Sequence, residues 1–210
     1  MSDLDRISEA IRSRFADKNA ARDSAISRSR ELIRVCSEAI RAIHRREWDA
    51  AAAKLAQART GADELRAVCG SYHDLLMSGY TQDALKEVVE AFATYAIIRS
   101  EPLPTPEQMH TDDAAYVNGL AEAATELRRF ILDILRREDG DANEAERLLD
   151  WMDAIYDKLV AFDFPDAITG DLRRRTDVVR GVLERTRGDL TTTVQQQRLQ
   201  AALRAFEGRV

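Results

Sequence analysis

Between residues 4 and 46 the apolar positions Leu4, Ile7, Ile11, Phe15, Ile26, Leu32, Ile33, Val35, Ile40 and Ile43 recur at helical spacing, with no Pro or Gly in the stretch. That periodicity predicts one very long helix, with "DKNAARD" at residues 17–23 the place where it could kink. A second helix is expected over residues 48–69, where Gly61 weakens the middle without ending it. "GSYHDLLMSGYTQ" holds two glycines and turn-prone polar residues, and predicts a break before a third helix at 82–99. Three prolines make "SEPLPTPEQMHTDD" a loop, since the residue before each proline is biased away from helix. Further helices are expected over 113–138, 144–161 and 172–203, with "FDFPDAITGD" separating the last two. The pattern is all-α, a single-domain antiparallel bundle of about six or seven helices spanning residues 1–210, because the connections are short.

Composition agrees with that class. Of 210 residues, 45% are hydrophobic and 32% charged, with 9 Gly and 4 Pro, too few turn formers for a many-stranded sheet. No run of about 18 apolar residues occurs and the first ten residues carry no leader, so the chain reads as an intracellular, cytoplasmic protein with no membrane partner. Cys36 and Cys69 lack metal or redox spacing and are expected to be free, packed thiols. The net charge of −6 argues against a whole-surface attraction for nucleic acid. Nearly all basic residues are Arg, however, and a local Arg-lined patch could still hold phosphate with its planar fork.

The candidate chemistry lies in the third helix. At about 100° per residue, Leu85, Val88, Val89, Phe92, Tyr95, Ile97 and Ile98 spread round nearly the whole circumference, as in a buried helix. Glu87, Glu90 and Thr94 share one narrow face within it. Two carboxylates entering an interior together need cations, either a basic side chain for each or a metal ion between them. The next helix carries Glu122 and Glu126 four residues apart, with Asn118, Arg129 and Asp133 on the same stripe. If the two pairs met, four carboxylates would form an all-oxygen cage suited to Mg²⁺ or Mn²⁺, and the chemistry would be phosphodiester or phosphoanhydride hydrolysis. A ferritin-like di-iron centre needs Glu-x-x-His pairs that His44, His73 and His110 do not supply. "DGDANEAERLLD" has Glu144 where a calcium loop needs Gly and reads as a connector, and no phosphate-binding glycine loop or serine elbow is present.

Several segments together resemble the translin family, and its Trax branch in particular. They are "SRELIRVCSEAIRAIHR", "LKEVVEAFATYAIIRS", similar to the family's Gln-Glu-Tyr-Val-Glu-Ala stretch, and "AAYVNGLAEAATELRR", with Tyr116, Gly119, Glu126, Leu127 and Arg129 at family positions. The Gly-Asp connector and Tyr-Asp pair of "EDGDANEAERLLDWMDAIYDKLVAFDF" and the Arg-rich "DLRRRTDVVRGVLERTRGDL" follow in order, so the likeness covers residues 29–190. The resemblance implies a translin-like fold of about seven helices in a hollow homo-oligomer, a hexamer or octamer, that encloses single-stranded RNA or single-stranded DNA. It also implies a Mg²⁺-dependent (or Mn²⁺-dependent) endoribonuclease in which Glu87, Glu90, Glu122 and Glu126 are both metal ligands and catalytic residues. Glu122 stands where the Trax pattern has Asp. Arg99, Arg129 and His73 are the RNA-binding candidates. Two other readings stand beside this one: a particle that encloses single-stranded nucleic acid without cutting it, and an all-α nucleoside triphosphate pyrophosphohydrolase, whose second acidic pair is usually Glu-x-x-Asp.

Overall fold

The computed structural model describes residues 2–137 and 140–207, and these are all-α, with no strand among them. Six long helices and three one-turn helices are present among the described residues. The chain divides into two compact units, Met1–Ala91 and Phe92–Val210.

In the first unit, α1 (Asp3–His44) runs unbroken through residues 17–23. Its start is held by a capping box. The Ser2 hydroxyl accepts from the Asp5 N–H at 3.2 Å, and the Asp5 carboxylate accepts from the Ser2 N–H at 2.7 Å. At the other end Arg46 adopts a left-handed φ of 59°, so the Arg46 and Glu47 N–H groups turn back to the carbonyls of Ile43 and Ala42. The turn launches α2 (Trp48–Cys69), which lies antiparallel to α1, as the ion pairs Arg28–Glu64 and Lys54–Glu38 require. α1 and α2 pack on each other, and Ala51, Ala58 and Ala62 of α2 are buried, as are Leu32, Val35, Ala39 and Ile43 of α1; small side chains let helices approach closely.

At about 1.5 Å per residue, α2 is roughly half as long as α1 and covers only its second half. Leu4, Ile7, Ile11 and Phe15 belong to the apolar repeat that predicts α1, yet all four are exposed. The expected break after α2 contains one helical turn, α3 (His73–Leu76). Thr81 and Gln82 donate to the Leu75 and Leu76 carbonyls at 2.8 and 2.9 Å and close α3 against the start of α4 (Gly79–Arg99), three residues earlier than periodicity indicates.

The boundary between the units falls inside α4, after Ala91. Ser100, at φ 56°, ends the helix as Arg46 ends α1, with the Glu101 N–H on the Ala96 carbonyl. In the second unit Arg147 donates to the carbonyls of Ile97 and Ile98 at 2.9 and 3.3 Å, supplying partners for the last turn of α4. The proline-rich segment is not wholly loop: Thr105 and Gln108 form a capping box around α5 (Pro106–Met109).

Next come α6 (Asp113–Leu135), α7 (Ala142–Ala161), the single turn α8 (Asp166–Thr169) and α9 (Leu172–Glu207). α6 stops three residues short of the expected 138, which lies outside the described residues together with 139, where the connector begins. Gly140 tolerates no side chain, because a Cβ there would meet the Ile134 carbonyl oxygen at 2.1 Å. Asp141 then caps α7, accepting from the Asn143 N–H at 2.9 Å, which moves the start back to Ala142. Helices α6, α7 and α9 pack on one another through Leu127, Ile131, Leu148, Met152, Val179 and Leu183. Glu122 meets Arg175, and farther along both helices Arg128 meets Asp189, so α9 runs in the same direction as α6. Asn118 fastens α8 by donating to the Thr169 carbonyl at 2.7 Å. None of the described helices is long and apolar enough to cross a membrane.

Both cysteines are free and buried, as expected. Burial, and then the negative charges of Glu87 and Glu90, push the Cys36 thiol far above its ordinary value of 9.0. Burial also raises Cys69.

Leu127 is fully buried, so Leu127→Ala should cost about 2–5 kcal/mol and lower the urea midpoint. A loss under about 1 kcal/mol would show that α6 is not packed as described. The thiols set an alkaline limit. Because the folded state keeps their protons to higher pH than the unfolded chain does, deprotonation favours unfolding, and stability should fall as pH rises past about 9, chiefly through Cys36, by up to about 1.4 kcal/mol per pH unit. Urea titrations from pH 8 to 10 test this, and Cys36→Ala should flatten the decline.

Candidate metal centre

The apolar circumference of α4 is buried as its sequence predicts: Ala84, Leu85, Val88, Val89, Ala91, Ala93, Ala96, Ile97 and Ile98 are all inaccessible or nearly so. Glu90 is buried with them at 8% exposure, and Glu87 is half-buried. Thr94, one turn beyond Glu90, is fully buried, and its hydroxyl has no hydrogen-bond partner. Lys86 is also buried, with its Nζ 3.4 Å from Glu87 Oε1. A lysine held among apolar neighbours requires a counter-charge, and the adjacent carboxylate provides one.

Glu122 and Glu126 project from α6, both half-buried. Glu122 forms an ion pair with Arg175 of α9, and the two side chains are only 23% and 18% exposed. This pair realises one of the two options open at the level of sequence, a basic side chain for each acid. The sequence-level alternative concerns two pairs of acids, Glu87 and Glu90 about one turn apart on α4 and Glu122 and Glu126 one turn apart on α6, oxygen donors of the kind a hard cation takes. Carboxylates with the buried, unpartnered Thr94 hydroxyl one turn beyond Glu90 on α4 fit a hard cation. Glu126 lies one turn beyond Glu122 on the same helix.

The RNA-binding candidates are more dispersed. Arg129 is exposed on α6, seven residues and therefore about 20° from Glu122 around the helix, in a cleft shared with Arg128, Arg136 and Thr193. Arg99 is exposed at the end of α4, nine residues from Glu90 and so about half a turn away around the axis, near Glu101 at 3.6 Å. His73 is exposed on α3.

Two cations next to the acids, Lys86 and Arg175, are not singled out by sequence reasoning. For Lys86 the only signal is its place in an otherwise apolar helix. For Arg175 it is the run Arg173, Arg174, Arg175, within which periodicity alone does not choose the residue that turns toward α6.

No family profile matches the chain. An uncharacterised protein of Methanocaldococcus jannaschii, MJ0175, is 30% identical over 195 residues, covering 92% of this chain and 85% of that one. Among solved structures, AfC3PO in complex with duplex RNA is 34% identical with a TM-score of 0.77, over 90% of this chain and 96% of the other. A second AfC3PO crystal structure is 31% identical with a TM-score of 0.79, over 90% and 97%. Apo-NeC3PO shares the fold, with a TM-score of 0.78 at 19% identity over 92% and 98%. With its ordered Trax-like motifs, its all-α fold and identity of 30% or more to relatives over nine-tenths of its length, the chain belongs to the translin family.

Proposed function

We propose that this protein is a Mg²⁺-dependent endoribonuclease for single-stranded RNA, working inside a hollow homo-oligomer of six or eight subunits, with Mn²⁺ able to replace Mg²⁺. The observation that carries the reading is the pair Glu87 and Glu90 set into the apolar circumference of α4, with Glu122 and Glu126 one turn apart on α6. RNA as the substrate class is supported by AfC3PO, a family member solved with duplex RNA. The same membership leaves the nucleoside triphosphate pyrophosphohydrolase reading without support.

In this mechanism Glu87, Glu90 and Glu122 would hold the cation, and Glu126, one turn along α6, would orient the attacking water. The chemistry that a hard cation would supply there is Lewis acidity toward water and toward charge on the leaving oxygen. The apolar walls of α4 keep bulk water from the carboxylates, which strengthens every charge interaction around them. Arg129, on the Glu122 stripe, steers the RNA backbone, with Arg99 and His73 as outlying phosphate contacts.

A particle that binds RNA without cutting it is the second reading. It is favoured by the Glu122–Arg175 and Glu87–Lys86 pairs, which give both acids a cation of their own. The two readings separate in one assay of end-labelled single-stranded RNA with Mg²⁺ or Mn²⁺. Cleavage should depend on the metal and fall by at least about 100-fold in Glu87→Gln, while RNA affinity measured in EDTA changes little. RNA that is bound tightly yet stays intact with both metals would decide for the binding particle.

A further inference from the structure

Arg175 is oddly placed for a structural counter-ion. Its partner Glu122 lies 53 residues earlier in the chain, and the bond runs from Arg175 Nη1 to Glu122 Oε1. The guanidinium is largely buried, yet its Nε is buried without a hydrogen-bond partner. A planar fork with one donor spent on a carboxylate and another left unpaired is incompletely satisfied. Moreover, Glu122 is one of the ligands proposed above, so a divalent cation held by it would sit beside Arg175 and repel it.

We propose that Arg175 is a positioning residue that exchanges partners, holding Glu122 when the carboxylates carry no cation and an RNA phosphate when they do. A phosphodiester suits the vacated fork, since it accepts two parallel N–H donors and carries the negative charge that the guanidinium loses on leaving Glu122. Arg173 and Arg174 cannot take this part by the same route, because both side chains are exposed and Arg174 pairs with Asp171. The exchange couples the two ligands: metal binding tightens RNA binding, and RNA tightens metal binding by the same factor. This inference rests on the metal reading given above.

The test is fluorescence anisotropy of a labelled single-stranded oligoribonucleotide in EDTA and in Ca²⁺, alongside Mn²⁺ binding followed by electron paramagnetic resonance. In wild type, Ca²⁺ should raise RNA affinity about tenfold, and Arg175→Gln should abolish that increment. Glu122→Gln should bind RNA in EDTA at the affinity wild type reaches with metal, because Arg175 is already released, and a misfolded protein would show no such gain. The double variant Glu122→Gln/Arg175→Gln should lose the gain, which separates release of the arginine from simple removal of a negative charge. An increment that survives Arg175→Gln, or a gain that survives in the double variant, overturns the exchange. Wild type that binds no Mn²⁺ overturns the metal reading itself, whereas Mn²⁺ binding without coupling to RNA overturns the exchange alone.

Discussion

Ionised carboxylates on a helix with apolar side chains nearly all round are costly, and that cost governs the site. Removing a carboxylate from water without a partner is so unfavourable that the group either takes a proton or recruits a cation. Glu87 recruits Lys86 and Glu122 recruits Arg175. The negative field of the pair on α4 also reaches α1, where it helps to keep the Cys36 thiol protonated.

Such a site is only as good as the frame that holds it. Helices position side chains more rigidly than loops do, and each candidate acid here sits on a helix whose ends are tied. The last turn of α4 is closed by a left-handed Ser100 and by two hydrogen bonds from Arg147. On α6, Asn118 fastens one end to α8, while Leu127, Phe130, Ile131 and Ile134 anchor the remainder in the core shared with α7 and α9. The parallel course of α6 and α9 brings the Arg-rich start of α9 level with Glu122.

Much of this was legible in the amino-acid order. Helical periodicity locates all six long helices within a few residues, because an amphipathic or wholly buried helix must repeat its apolar positions every three to four residues. The one-turn helices α3, α5 and α8 escaped it, since four residues contain no period to read and their formation rests on caps such as Thr105 with Gln108. The exposure of Leu4, Ile7, Ile11 and Phe15 also escaped it. Periodicity reports that a helix has an apolar face, and only the length of α2 shows how much of that face its neighbour covers.

The sequence by itself determined the helices, the apolar enclosure of Glu87 and Glu90, and the spacing of all four acids, since these depend on residues close together in the chain. Which cation answers which acid was decided by the tertiary structure. Glu122 and Arg175 are separated by 53 residues, and nothing local distinguishes Arg175 from Arg173 and Arg174. Only the packing of α9 along α6 turns that one guanidinium inward, because helix rotation is set by the core residues Leu172, Val179 and Leu183 rather than by the arginines themselves.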